Sequence, residues 1–170
     1  MWWFRVAASI LIAGLLAGCG FEPLYGRNSF GGPIVPQLNA ITIAPANDRN
    51  GQLLRNELID RLRLDGPADH PLYALQLQVQ EVQAPIIVTR QETVTRYNMT
   101  LTATYFLQDL RSGKLVTSGQ VTSLSAFNLL RADFANLIAE QDARARAARE
   151  LSEQIRTRLA LYFTRDTDKR

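Results

Sequence analysis

The side chain best suited to covalent chemistry is a thiol, and the chain has one cysteine, Cys19. It follows the apolar run 6–16 and two small residues. Sulfur is a nucleophile as the thiolate, and small neighbours leave the backbone accessible to a processing enzyme. The alternative is a buried cysteine that packs as a small hydrophobe, which fits poorly beside Gly18, Gly20 and Glu22. The pattern therefore favours chemical use of this sulfur.

The other reactive side chains do not form a catalytic pattern. His70 is the single histidine and stands before a proline in a predicted loop, so it is interpreted as an exposed turn residue. The carboxylate pairs Asp60 with Asp65 and Glu140 with Asp142 stand among arginines and are more simply salt-bridge partners. No His, Cys and acidic residues recur at metal-ligand spacing. The sequence predicts a binding role without catalysis and without a metal or cofactor.

Arg5 and the apolar residues after it are typical of a secretory signal. The 13 residues 6–18 are too few to cross a bilayer, which takes about 20, although an uncleaved anchor stays possible. Residues 16–19, Leu-Ala-Gly-Cys, resemble the lipobox of bacterial lipoproteins. The resemblance implies that residues 1–18 are a signal peptide and that Cys19 carries a diacylglycerol and an N-acyl chain. Gly20 in place of aspartate points to the outer membrane, on its periplasmic side.

Size and charge bound the remaining chain. Removal of residues 1–18 leaves 152 of 170 residues, which suffices for one domain with its own core. Without Arg5 there are 18 Lys and Arg against 16 Asp and Glu, a balance that argues against nucleic-acid binding. A single cysteine excludes an intrachain disulfide framework, so the core must stabilise the domain.

The first half of the chain predicts a tether, a strand and a helix. Residues 19–37 are rich in Gly and Pro and predict a flexible tether. A short strand over 41–44 follows, and Asn47 or Asp48 can cap the next helix. From Gln52 to Leu64 an apolar residue recurs every fourth position, which predicts an amphipathic helix.

Three strands are predicted next. Alternation over 73–79 leaves glutamines on the polar face. The apolar phase slips after Glu81, which predicts a bulge near Gln80, returns Val82, Ala84, Ile86 and Val88 to the apolar face, and places Pro85 at a sheet edge. Residues 97–107 alternate most clearly, with threonines on the polar face. A hairpin turn over 109–114, with Gly113 left-handed, leads to a weaker strand over 115–124.

The final segment predicts one long helix from about Asp133, with apolar residues at three-four spacing that include Phe134, Leu137 and Ile138. Outward pairs Glu140 with Arg144 and Asp142 with Arg146 stabilise it at spacing i, i+4. Its alanines at 143–148 permit close approach to a sheet. The fold class is α+β with two layers, a small mostly antiparallel four-stranded sheet with two helices on one face, in the order β-α-β-β-β-α. The domain is assigned to 38–164 and a tail to 165–170.

Three features together carry a family resemblance: the lipobox with "CGFEPLYG" over 19–26, this element order, and the terminal segment 134–163. They resemble the lipopolysaccharide-assembly lipoprotein family LptE in its alphaproteobacterial form. The resemblance implies a non-catalytic outer-membrane subunit that plugs the LptD β-barrel, assists its assembly and helps deliver lipopolysaccharide to the outer leaflet.

The resemblance also implies sites. A polar barrel lumen suits the polar strand faces, whose candidate partner-facing residues are Gln76, Gln78, Thr100, Thr102 and Thr104, although solvent would select the same residue types. A basic residue at the turn between the second and third strands contacts lipopolysaccharide in the family. Arg90 occupies that turn and Arg96 lies nearby, so both are candidate contacts for lipid phosphate.

Two other functions stay open from the sequence. One is an adaptor lipoprotein of an envelope transporter without a lipopolysaccharide role, which the same fold would serve. The other is a lipoprotein hydrolase, which would depend on His70.

Overall fold

The computed structural model describes residues 34–63, 70–87, 95–129 and 132–167. Cys19, Arg90 and most of the predicted tether lie outside these ranges. The elements in chain order are α1 (Ile34–Asn39), β1 (Ile41–Ile43), α2 (Arg49–Leu62), β2 (Tyr73–Ile87), β3 (Thr95–Asp109), β4 (Leu115–Asn128) and α3 (Asp133–Thr167).

The sheet has four strands in the order β1-β2-β3-β4. β1 pairs with β2 in parallel, because α2 carries the chain back to the same end of the sheet before β2 begins. β2, β3 and β4 form an antiparallel meander. The predicted α+β fold, a mostly antiparallel four-stranded sheet with helices, is confirmed, and the helix α1 is an addition to it that the glycine- and proline-rich composition of the segment concealed.

The helix α2 begins and packs as the sequence predicts. Asp48 is its N-cap, and the carboxylate accepts the backbone N–H of Gly51 at 3.0 Å. Leu54, Leu58 and Leu62 fall at helical spacing and are fully buried against the sheet and α3. Burial of such a leucine side chain contributes about 1.5–3 kcal/mol, so this stripe fixes which face of α2 lies inward.

The helix α3 has 35 residues and is about 52 Å long at 1.5 Å per residue. The alanines Ala143, Ala147 and Ala148 are buried, which confirms the predicted close approach in the middle of the helix. The helix continues to Thr167. Its first two turns contain apolar residues at the predicted three-four spacing. There, the three large apolar side chains are exposed: Phe134, Leu137 and Ile138.

The predicted bulge near Gln80 is wrong. β2 pairs with β3 in unbroken register from Tyr73 opposite Asp109 to Ile87 opposite Thr95. The described irregularity of the meander lies instead between β3 and β4, at Leu107 and Gln108. The apolar pattern slips because the polar residues Glu81 and Gln83 occupy core-side positions. Their side chains form hydrogen bonds there, with each other and with residues of α3. No extra residue is inserted into the strand.

Continuous register therefore puts Val82, Ala84 and Ile86 on the face of β2 that carries the glutamines, and not on the core face as the slipped phase suggested. The expected edge position of Pro85 is confirmed. Beyond Leu75, the described part of β2 pairs with β3 alone. The carbonyl of Leu75 accepts the N–H of Ala44 on the β1 side. Every second residue after Leu75, including Pro85, therefore directs its backbone groups to this edge. Proline lacks an N–H, but at this edge its absence removes no hydrogen bond of the β2–β3 ladder.

The opposite edge of the sheet, β4, is covered by side chains of α3. Three of its outward carbonyls accept hydrogen bonds: Gln120 from Arg158 at 2.8 Å, Thr122 from Gln154 at 3.3 Å, and Ala126 from Arg146 at 3.3 Å. An open edge strand invites pairing with another chain. These bonds occupy acceptors that such pairing needs.

The β3–β4 turn has the predicted geometry. Gly113 has a φ of 68°, in the left-handed region that favours glycine. The Asp109 carboxylate accepts the backbone N–H groups of Arg111 and Ser112, both at 2.8 Å. In the described part of the chain, no helix is long and apolar enough to cross a membrane.

Candidate functional site

One face of the meander carries the helices, and the other is free of helix. Odd-numbered residues of β3 and β4, such as Leu101, Ala103 and Val121, are buried beneath the helices. Even-numbered residues of β2 and β3, and of β4 from Ser118 onward, lie on the helix-free face, and cross-strand pairing aligns them in rows. The central rows are Gln78–Thr104–Gln120 and Gln80–Thr102–Thr122.

All five residues proposed to face a partner lie together on this helix-free face. Gln76 and Gln78 are exposed, and Thr100, Thr102 and Thr104 are half-buried between the neighbouring strands. The hydroxyl oxygens of Thr102 and its partner Thr122 are 3.4 Å apart. The strand pattern was sufficient to place them on one face, because side chains alternate along a strand.

The helix-free face has almost no charge. Among its described residues on β2, β3 and β4, Arg96 is the one with a charged side chain, although charged residues make up 21% of the chain. A sheet face that meets only water usually carries several lysines or glutamates. Depletion of charge is instead characteristic of the centre of protein interfaces.

The row that contains Thr100 also carries two strongly exposed apolar side chains, which the hydropathy pattern did not assign to this face. Val82 and Leu124 are each 63% exposed and lie in one row, on either side of Thr100. The unbroken register of β2 puts Val82 there. Alternation over 118–124 would have placed Leu124 on the same face as the threonines, but the pattern of β4 was too weak to assign its two faces. This row adds a narrow apolar band to a polar surface.

Arg96 lies at the far end of the same face. It is exposed, and its cross-strand neighbours are Ile86 on β2 and Asn128 on β4. Arg90, the other candidate phosphate contact, lies outside the described residues. Phe134, with 76% of its surface exposed, is the second residue of α3 and follows Leu129, which packs against the core, by five residues.

A cluster of polar side chains fastens the helices to the core face of β2. Arg144 of α3 donates two hydrogen bonds to Glu81, from Nε at 2.8 Å and from Nη2 at 2.9 Å. Asn50 of α2 donates to the same carboxylate at 2.8 Å. Gln83 donates to Glu81 at 2.7 Å and to Glu140 at 2.9 Å, and Glu140 also pairs with Arg144. We call these five residues the polar clamp.

The clamp is electrostatically matched. The hydrogen bonds from Arg144 lower the pKa of Glu81, against the opposing effect of burial. The same contacts raise the pKa of Arg144. The predicted pair of Glu140 with Arg144 is confirmed, but Arg144 turns toward the sheet and not outward, because Glu81 offers a bidentate partner. The pair of Asp142 with Arg146 is confirmed on the exposed side.

Outside the polar clamp, the reactive side chains that the structure describes do not form a cluster. His70 is exposed in the connection before β2. Within the four described ranges, no three His, Cys, Asp or Glu side chains are grouped as they would be around a metal ion.

The fold and the sequence match a known family over most of the domain. The model of the lipopolysaccharide-assembly family LptE matches residues 38–159. The chain belongs to the LptE family. The match covers the elements from β1 to α2, the whole meander and most of α3, so the helix-free face and the polar clamp both lie within the LptE region.

Individual proteins resemble the chain in sequence or in fold. An uncharacterized Rickettsia prowazekii protein, RP188, is 24% identical over 160 residues, which are 92% of this chain and 96% of that protein. A crystal structure of a proposed lipoprotein from Caulobacter crescentus is similar with a TM-score of 0.63 and 27% identity, over 77% of this chain and 96% of that one. A minor lipoprotein from Acinetobacter baumannii shares the fold, with a TM-score of 0.51 and 17% identity over 71% and 88% of the two chains.

Proposed function

We propose that the chain is a lipid-anchored, non-catalytic subunit of the lipopolysaccharide translocon in the outer membrane. In this proposal the helix-free sheet face lies against the polar interior wall of an LptD-like β-barrel, assists its assembly and supports delivery of lipopolysaccharide to the outer leaflet. Membership of the LptE family supports the role in lipopolysaccharide assembly.

The observation that carries the barrel contact is the composition of the helix-free face. Its central rows offer hydrogen-bonding side chains without charge, and the row of Val82 and Leu124 adds a small apolar area. The lumen of a transmembrane β-barrel is polar, and unpaired charges buried at an interface are expensive. An uncharged polar surface can therefore be covered by such a wall without leaving a charge unpaired.

Thr102→Arg tests the contact because it puts a charge and a long side chain at the centre of the face. Thr157→Arg is the matched control, since Thr157 is also half-buried and lies two residues after the buried Ile155, on the opposite side of α3. We expect the tagged Thr102→Arg protein to recover at least about tenfold less barrel protein from detergent-solubilised outer membranes, the effect of losing about 1.4 kcal/mol of binding. Equal recovery by both variants, at equal thermal stability, would rule out this face.

A second set of variants tests lipopolysaccharide contact. We propose that Arg96, with Arg90, pairs with lipid phosphate, as guanidinium groups do with favourable bidentate geometry. Arg96→Gln and Arg90→Ala should weaken binding of purified lipopolysaccharide and leave recovery of the barrel unchanged. Arg149→Gln, at an exposed position of α3, is the control. Unchanged lipopolysaccharide binding in both Arg96→Gln and Arg90→Ala would support a subunit that contacts the barrel alone.

The anchor is tested separately. We propose that Cys19 is the first residue of the mature protein and carries the diacylglycerol and N-acyl chain. Intact-mass analysis of natively expressed protein should show loss of residues 1–18 and the added mass of the lipids. Fractionation that places the protein in the inner membrane, without a copurifying barrel, would favour the transporter adaptor instead.

A further inference from the structure

The end of the sheet opposite Arg96 presents exposed leucines beside cations. Leu110 and Leu115 flank the β3–β4 turn and are 49% and 60% exposed, and Leu72, just before β2, is 56% exposed. The turn between the two leucines also exposes Arg111 and Lys114. We call these five residues the leucine end.

A hydrogen bond and strand pairing place the three leucines at the same end of the sheet. The N–H of Leu110 donates to the carbonyl of Leu72 at 2.9 Å. Leu115 pairs with Gln108 in the β3–β4 ladder, at the closed end of the same hairpin. The leucines therefore sit at the strand ends of three adjacent strands and not at scattered surface positions.

The chain that leads to the lipid anchor enters the domain at this same end. The carbonyl of Ala40 accepts from the N–H of Leu72 at 2.9 Å and from that of Tyr73 at 3.2 Å. Ala40 directly follows α1, whose six residues rise about 9 Å. Two strand spacings, about 10 Å, separate Ala40 from Leu110. Residues 19–33, the stretch from Cys19 to α1, are 15 in number and reach at most about 50 Å.

The charge of the turn suits an anionic surface. Arg111 and Lys114 form no ion pair within the described part of the chain. The carboxylate of Asp109 accepts the backbone N–H groups that close the turn, and these bonds lower its pKa. The charge of Arg111 also lowers this pKa, and the side chains of Arg111 and Lys114 are both exposed, so they can face phosphate groups outside the protein. Asp65 and Asp69 belong to residues 64–69, outside the described ranges, and are not part of this count.

We propose that the leucine end contacts the bilayer in which the acyl chains of Cys19 are embedded. Leu72, Leu110 and Leu115 enter the headgroup region, and Arg111 and Lys114 pair with the phosphates of anionic lipids. Leucine and basic residues together are the composition of surfaces that lie in the membrane interface, about 5–10 Å deep. The contact rests on the lipid anchor of the proposed function and is independent of barrel binding.

Site-specific labelling tests the contact in the full, acylated protein. Acylation consumes the sulfur of Cys19, so Leu115→Cys supplies one free thiol for an environment-sensitive fluorophore. Leu124→Cys is the matched control, because it lies on the same strand, is 63% exposed, and is nine residues or about 30 Å away. Each labelled protein is reconstituted into vesicles of phosphatidylglycerol and phosphatidylcholine that contain a lipid brominated near the headgroup.

We expect the label at position 115 to shift to shorter wavelength and to be quenched several-fold more than the label at 124. Arg111→Gln with Lys114→Gln should lower the quenching at 115 on anionic vesicles to the level seen with phosphatidylcholine alone. Equal quenching at 115 and 124 in protein whose acylation is confirmed by intact mass would overturn the inference and leave the anchor standing. A label at 115 that lipid does not quench, but that a copurified barrel shields, would also overturn it in favour of a protein contact.

Discussion

Replacement of Arg144 by Met tests whether the polar clamp holds the helices on the sheet. Exposed ion pairs contribute about 0.2–1 kcal/mol, and breaking a fully buried pair costs about 3–5 kcal/mol. The side chains of Glu81 and Arg144 are 14% and 20% exposed, between these limits. We therefore expect Arg144→Met to lower the free energy of unfolding by about 2 kcal/mol, which is roughly 4–8 °C in Tm for a domain of this size. Urea unfolding followed by far-UV circular dichroism measures the change.

A double-mutant cycle isolates the pair. Glu81→Gln keeps the shape of the side chain, and Arg144 keeps Glu140, so we expect a loss of about 1 kcal/mol. The double variant should lose about 2 kcal/mol and not the sum of the two single losses, because it leaves no unpaired carboxylate at position 81. Arg146→Met is the control, since its pair with Asp142 is exposed and should contribute below about 0.5 kcal/mol. Equal losses from the two arginine variants, or a strictly additive cycle, would refute the argument.

The clamp also predicts a pH dependence with a defined sign. The pKa of Glu81 is lowered in the folded protein from its ordinary value of 4.5, first of all by the hydrogen bonds from Arg144. A lowered carboxyl pKa contributes stability that is complete above the unfolded value and is lost as the pH falls through the folded value. The difference in unfolding free energy between the unaltered protein and Glu81→Gln should therefore shrink as the pH falls below about 5 and through the lowered pKa of Glu81. A constant difference over this range would contradict the assigned role of the carboxylate.

Three further changes and one exposed control test the fold itself by the same unfolding measurement. Leu58→Ala removes a fully buried side chain and should cost about 2–5 kcal/mol, whereas Leu124→Ala on the exposed face should cost below about 0.5 kcal/mol. Asp48→Ala removes the α2 cap and should cost about 1 kcal/mol, and no loss would mean that the cap bond is not made in solution. Gly119→Val should cost about 1–3 kcal/mol, because an added Cβ would come within 2.6 Å of the Tyr105 hydroxyl; a neutral result would show that the ring moves aside freely.

The elements with regular patterns were predictable from the sequence. The stripe of Leu54, Leu58 and Leu62 and the alternation over 97–107 each have one period, and a single buried face follows from that period. The turn at Gly113 was also predictable, since a left-handed residue is favoured where a hairpin closes. The common face of the five candidate residues followed from the same alternation, and their contact with a partner stays a prediction.

The predictions that were wrong concern apolar residues that are exposed and polar residues that face the core. Val82 and Ile86 are apolar but exposed, and Glu81 is charged but faces the core side, because Arg144 comes from 63 residues away to pair with it. A hydropathy pattern does not record such a distant partner. Phe134 likewise fits the apolar spacing of α3, but its side chain is exposed, and spacing along a helix does not record whether another segment covers a turn.

The sequence by itself determined the lipobox-like segment, the order of the four strands and the two long helices, and the apolar faces of α2 and β3, because these depend on neighbours within a few residues. The tertiary structure decided the unbroken register of β2, the assembly of the polar clamp from three elements, the low charge of the helix-free face as a continuous surface, and the meeting of the leucine end with the chain entry at Ala40. Each of these depends on contacts between distant segments, whose free energy is gained only when the whole sheet and both packed helices close on one core.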